Sequence, residues 1–159
     1  MSDMSVPALR DYQIQAIDDL RAAFRGGARS ALLVLPTGAG KTVCFSAMVE
    51  AAARKGRSAL VLAGRRELVR QASAKIGQFG VDHRIVGTRG LQKQIAGDHA
   101  AKLGSVRIDP DAPVAVASIQ SLVRRLDAIR PPDLIVVDEA HHATAASIQK
   151  ILAHYPDAY

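Results

Sequence analysis

Cysteine is nearly missing from this chain: Cys44 stands alone among 159 residues, so no disulfide can close within it. Tryptophan is absent and aromatic residues make up only 4%, too few for a platform on which successive bases could stack. No apolar run approaches the ~20 residues that a membrane-spanning helix needs. Met1-Ser2-Asp3-Met4-Ser5 lacks the basic-then-apolar pattern of a secretory leader. A lone thiol, no span and no leader pattern together make the reducing cytoplasm the expected compartment. Internal repeats, low-complexity tracts and linkers are also missing, which favours one domain.

What is present is ordinary for a soluble fold. Hydrophobic residues make up 48% and charged residues 23%, on a chain long enough to bury a sizeable core. The net charge of +6 points to a polyanionic partner. Many basic proteins bind no nucleic acid, so this charge gains meaning only beside a motif.

The motif is Leu35-Pro36-Thr37-Gly38-Ala39-Gly40-Lys41-Thr42. The apolar run Ala31 to Leu35 before it predicts a buried strand, and Val43 to Val49 after it predicts a helix. A strand, a glycine-containing turn ending in Lys-Thr and then a helix is the setting of a phosphate-binding loop. Gly38 and Gly40 admit backbone angles that turn successive N–H groups into one concavity. Lys41 then reaches the β- and γ-phosphates, and the Thr42 hydroxyl can ligate Mg²⁺. Leu35 stands where the general pattern has its first glycine. The bland alternative is a plain turn, which the flanking strand and helix disfavour.

Periodicity predicts an alternating chain. A helix is expected from Leu9 to Phe24, with Ile14, Ile17, Leu20 and Phe24 on one face and Tyr12 in the core. After the loop, strands are expected at Ser58 to Ala63, Arg84 to Val86, Pro113 to Ala117 and Asp133 to Val137. Helices are expected at Arg65 to Ile76, Ser118 to Ile129 and Ala143 to Ala153. Leu91 to Leu103 reads as a polar helix or a loop. Cys44 is expected to pack within the helix after the phosphate loop. His83, His99 and His154 have no metal-ligand spacing, and Lys93, Arg124 and Arg125 read as solvated charge. Continuous apolar strands separated by helices imply a parallel sheet covered on both faces, with ligands beyond the carboxyl ends of the strands.

Asp138-Glu139-Ala140-His141 follows the last expected strand at that end. Two adjacent carboxylates there can divide the work: Asp138 holds the Mg²⁺ shell, and Glu139 orients and deprotonates the attacking water. A solvated acidic turn is the alternative, and the phosphate loop earlier in the chain weighs against it.

Together these motifs resemble the first RecA-like motor domain of superfamily-two helicases and translocases, of the DEAH type. Three further stretches support the resemblance. Leu9-Arg10-Asp11-Tyr12-Gln13 is similar to the family's adenine-recognising segment, which implies that the Gln13 amide reads adenine with Arg10 beside it. Val61 to Gln71 is similar to a segment that touches the nucleic-acid backbone, with Gly64-Arg65 where Pro-Thr is usual. It points to Arg65 and Arg66 as phosphate contacts. Val116 to Leu122 is similar to another such segment, with Ser118 where threonine is usual. The resemblance also implies that His141 couples the nucleotide and nucleic-acid sites.

The expected fold is therefore α/β, a RecA-like P-loop NTPase whose mostly parallel sheet is flanked by helices and lacks its last strand or strands. Residues 1–8 read as a disordered lead and residues 9–159 as an incomplete N-terminal ATP-binding helicase domain. The expected cofactors are ATP and Mg²⁺. The expected partners are nucleic acid, with DNA favoured over RNA, and a second RecA-like domain that supplies arginines at the transition state; no membrane is expected. The isolated chain is expected to be inactive in hydrolysis. A rival reading is a non-motor nucleotide-binding module or regulatory ATPase, and the Arg65, Arg66 and Ser118 stretches argue against it.

Overall fold

The computed structural model describes residues 5–138 and 145–159. Helices α1 (Asp11–Arg25) and α2 (Lys41–Arg54) precede an alternating series. It runs β1 (Ala59–Ala63), α3 (Arg66–Gln78), β2 (Arg84–Val86), α4 (Arg89–Leu103), β3 (Val114–Ser118), a one-turn α5 (Ile119–Leu122), β4 (Leu134–Asp138) and α6 (Ala145–His154). The four strands form one parallel sheet in the order β2-β3-β1-β4. Leu91 to Leu103 is thus helical, begun by the Thr88 hydroxyl, which accepts from the Leu91 N–H.

Alternation along β1 builds both layers of the core. Ala59, Val61 and Ala63 face Phe45, Val49, Val69 and Ile76 from α2 and α3. Leu60 and Leu62 face Ile119, Leu122, Ile151 and Tyr155 on the other side. Cys44 is buried in α2, as expected from its apolar neighbours. Between α3 and α4, Arg70 makes a bidentate ion pair with Asp98, at 2.8 and 2.9 Å. Its guanidinium holds the Asp98 carboxyl below the usual carboxylate range.

Three sequence expectations need correction. Ala31 to Leu35 forms no strand and pairs with none of the described residues, and Leu32 and Val34 are 83% and 77% exposed. Its apolar alternation is that of a strand, but no neighbour among the described residues supplies a ladder. The expected helix from Ser118 to Ile129 shrinks to α5 and a 3-10 turn, Leu126–Ala128, because the chain must return quickly to start β4. Tyr12 and Ile14 are 43% and 44% exposed, so the packed face of α1 is narrower than periodicity implied, centred on Gln13 and Ile17. His83 and His99, for which the sequence showed only the lack of metal-ligand spacing, are wholly buried.

The open side of β4 explains the first correction. All five residues of β1 are buried, whereas all five of β4 are only half-buried although four are apolar. Between β4 and Ala31 to Leu33 lies a cleft of about 380 Å³, floored by Leu20, Phe24, Phe45 and Met48. At its near end Tyr159 bonds to β4 on both sides of Leu134. Its N–H donates to the Asp133 carbonyl at 3.0 Å, and its carbonyl accepts from the Ile135 N–H at 2.7 Å. That pattern is one rung of a parallel ladder. Arg29 closes the corner, donating to the Pro156 carbonyl and lying over the Tyr159 ring.

Away from the site, Ser73, His83 and His99 tie α3, α4 and the entry to β2 together. His83 Nδ1–H donates to the Val81 carbonyl, so its Nε2 accepts from the Ser73 hydroxyl at 2.7 Å. His99 Nδ1 accepts from the Arg107 N–H, so its Nε2–H donates to Ser73 Oγ at 3.0 Å. Every polar atom in this chain of bonds is satisfied only when both rings are neutral. Burial pushes the His83 pKa from 6.5 to about 4 and lowers that of His99 as well. The unfolded chain therefore takes up protons first as the solution is acidified, and this contribution to stability is full above pH 6.5 and lost as pH falls towards 4. Urea denaturation across that window should show the decline, with the His83 ring still untitrated at its upper end. An ordinary His83 titration midpoint near 6.5 would contradict the buried neutral chain.

Candidate functional site

Four parallel strands end on one edge, and every residue singled out for chemistry within the described set lies there or on the loop beside it. After the unpaired Ala31 to Leu35 segment the chain turns at Pro36, whose carbonyl accepts from the Ala39 N–H at 3.0 Å. Gly38 and Gly40 have φ of +79° and +81°, the left-handed region that a Cβ disfavours. A Cβ on Gly38 would meet nothing within 4 Å, so that side of the turn is open space. Gly40 caps α2, whose first residues are Lys41 and Thr42, so the positive end of a 14-residue helix faces the turn. Lys41 and Asp138 line the same cleft, Lys41 from the start of α2 and Asp138 from the end of β4.

Register places the remaining residues. Ala63, the last residue of β1, pairs with Ser118 of β3 on one side and with Asp138 of β4 on the other. Ser118 and Asp138 thus flank one residue, two strand spacings or about 10 Å apart. Arg65 and Arg66 follow directly on β1 and are exposed, with Arg66 donating to the Gln94 side chain at 3.2 Å. The start of α2 lies on the Asp138 side, where Lys41 shares its cleft, and Ser118 lies on the other, so one strand end separates two polar surfaces.

Gln13 and Arg10 join this edge from α1. Gln13 is 4% exposed; its Nε2 donates to the Ala39 carbonyl at 2.9 Å and its Oε1 accepts from the Arg10 N–H at 2.9 Å. An amide has two N–H groups and two lone pairs, so one of each is left for a ligand. Arg10 is exposed, with its guanidinium 3.5 Å from the Tyr12 hydroxyl. That hydroxyl donates to the Ala39 carbonyl at 2.8 Å. Sequence reasoning assigned Tyr12 to the core and missed this contact; the only signal was its place beside Gln13 in the adenine-like segment. Glu139 and His141 lie outside the described residues. Among the described residues no cluster of three or more His, Cys, Asp or Glu side chains forms a metal site without help from a ligand.

Comparison with known proteins agrees with this arrangement. Residues 7–159 match the family described as type III restriction enzyme, res subunit. IRC3 of Saccharomyces cerevisiae, which carries the name of an ATP-dependent helicase, is 35% identical over 161 residues, covering 95% of this chain. This chain spans only 21% of that relative's length. Among solved structures, the UvsW helicase of bacteriophage T4 superposes with a TM-score of 0.64 at 19% identity, over 93% of this chain and 49% of that one. A nuclease-deletion mutant of the Type ISP restriction-modification enzyme LlaGI, in complex with a DNA substrate mimic, gives 0.61 at 20% identity, over 85% of this chain and 15% of that one. At such identities the structures speak for the fold, which is the RecA-like one.

Two glycines offer a contrast that tests the geometry. A Cβ on Gly40 would stand 2.5 Å from Gln13 Nε2 and would need the left-handed backbone. Gly40→Ala should therefore cost about 1–2 kcal/mol of stability and push Gln13 off the loop. Gly97, inside α4 with nothing within 4 Å of an added Cβ, should instead gain about 0.5–1 kcal/mol as alanine. Chemical denaturation of the two variants checks both signs, and a neutral Gly40→Ala would mean that the loop is not held this way.

Proposed function

The chain belongs to the type III restriction enzyme res subunit family, and from that premise we propose that it is the Mg-ATP-binding part of an ATP-dependent nucleic-acid motor, a helicase or translocase. The observation that carries the reading is the register at Ala63, which sets Asp138 on one flank, in the cleft that Lys41 also lines, and Ser118 on the other, with exposed Arg65 and Arg66 leaving the end of the strand between them. A motor needs its fuel site and its track that close, so that a change at one is felt at the other.

The residues fit a nucleotide with its metal. The open turn at Pro36, Thr37, Gly38, Ala39 and Gly40, with the α2 N-terminus behind it, is a cradle for phosphate oxygens. Lys41 would bind the phosphates, and Thr42 with Asp138 would hold Mg²⁺. Gln13 and Arg10 receive the adenine end. Mg²⁺ supplies charge neutralisation at the phosphates when bound. Glu139 orients the attacking water and accepts its proton, and His141 links this site to the track. On the far flank Arg65, Arg66 and Ser118 meet backbone phosphates rather than bases, so binding falls with salt and ignores sequence. The family's name and the DNA mimic in the LlaGI structure favour DNA over RNA as the polymer. A cytoplasmic site of action fits the single buried thiol.

The same reading treats residues 9–159 as an incomplete motor domain. The apolar cleft beside β4 has a lining suited to a further parallel strand, and the Tyr159 rung lies along that edge. Such a strand would give Ala31 to Leu35 and β4 a common neighbour and bury Leu32 and Val34 on completion of the sheet. Arginines from a second RecA-like domain would then complete the charge around the departing phosphate.

Two variants of the full-length protein separate the roles. Lys41→Ala removes a charge-assisted contact worth about 1.5–3 kcal/mol, so Mg-ATP affinity should fall about ten-fold or more. Glu139→Gln keeps size and hydrogen bonding, so calorimetry should find nucleotide binding intact while phosphate release collapses. Equal affinity in the lysine variant would refute the phosphate loop; retained turnover in the glutamine variant would move the base elsewhere.

A further inference from the structure

Resting on the nucleotide reading above, we infer that Tyr12 is a positioning residue for the phosphate loop: its hydroxyl, with the Gln13 amide, sets the plane of the Ala39–Gly40 peptide. Both groups donate to the Ala39 carbonyl, at 2.8 and 2.9 Å, from the first turn of α1. The described backbone contains no cis bond, and in a trans peptide the carbonyl and the following N–H point in opposite directions. Holding the Ala39 oxygen towards α1 therefore turns the Gly40 N–H away from α1. That N–H has no acceptor among the described residues and stands at the cap of α2, beside Lys41 and Thr42. It is a donor kept ready for a ligand oxygen.

The plane needs holding because of its neighbours. Glycines at both 38 and 40 have positive φ, and glycine crosses between backbone wells with little steric cost. A rotated Ala39–Gly40 peptide would present a carbonyl oxygen to the phosphates in place of an N–H, a repulsion where an attraction is required. Two donors on one carbonyl oppose that rotation, and the 2.5 Å approach between Gln13 Nε2 and the Cβ position of Gly40 shows how closely α1 abuts the loop. Gln13 is also tied to the Arg10 N–H and is assigned to adenine, so its removal would disturb several functions at once. Tyr12 is separable. Its ring is 43% exposed, and removing the hydroxyl leaves α1 packed.

The test uses Tyr12→Phe in the full-length protein, with Lys41→Ala beside it. Mg-ATP and AMP affinities are read by displacement of a fluorescent nucleotide, and the Gly40 amide is followed by ¹⁵N–¹H correlation spectroscopy. Loss of one hydrogen bond that acts through the β-phosphate should weaken Mg-ATP about three- to ten-fold while AMP and the melting temperature stay unchanged. The Gly40 amide resonance should move between wild type and Tyr12→Phe before any nucleotide is added. Unchanged Mg-ATP affinity in Tyr12→Phe, with Lys41→Ala impaired, would overturn the role of Tyr12 and leave the phosphate loop standing. Equal losses for Mg-ATP and AMP would make Tyr12 an adenine or structural contact, which also overturns it. Unimpaired Lys41→Ala would instead strike at the nucleotide reading itself.

Discussion

Everything at this site depends on the parallel pairing of β1 with a strand on each side. Register in a parallel ladder is set along its whole length, so four apolar pairs at each interface fix where the polar residues at the ends come to lie. A slip of one residue would turn Leu60 and Leu62 to the wrong face and carry Asp138 and Ser118 out of line with Ala63. The wholly buried β1 thus sets the spacing between a carboxylate and a hydroxyl that stand far apart in sequence.

Much of this was legible in the sequence, and the reasons are physical. Continuous apolar runs such as Leu60-Val61-Leu62 admit little besides a strand buried on both faces, and the glycines at 38 and 40 fall where the backbone does take positive φ. The motif residues Lys41 and Asp138 were found because phosphate and metal chemistry restrict residue type and spacing at strand ends. What escaped was non-local. Ala31 to Leu35 has the composition of a strand, but a strand exists only with a partner, and composition says nothing of partners. Tyr12 looked like core because tyrosine on an amphipathic helix usually is; its hydroxyl finds the Ala39 carbonyl only once α1 folds back on the loop. The Ser73, His83 and His99 chain joins three elements distant in sequence, which no local spacing could reveal.

The open edge of β4 and the phosphate loop bear on each other. The segment that leads into the loop is the one left without a ladder partner among the described residues, and it lines the cleft instead of entering a sheet. Contacts from α1 to Ala39 then carry more of the task of shaping the loop than they would beside a completed sheet. Closing the cleft and ordering the loop are in this sense one problem, and a ligand that bridges Lys41 and Asp138 would act on both. An exposed row of backbone groups flanked by Leu32 and Val34 is also a site for unwanted association, which native proteins avoid by covering such edges.

The central claim is that a nucleotide site and a nucleic-acid track share the carboxyl edge of this sheet and work together. The direct measurement is phosphate release from Mg-ATP by the full-length protein, with and without double-stranded DNA and with RNA as the comparison. The account predicts slow turnover alone, a marked rise with DNA of any sequence, and loss of that rise as salt is increased. Turnover that is indifferent to both polymers would contradict the coupling of the two surfaces, and stimulation by RNA alone would contradict the choice of track.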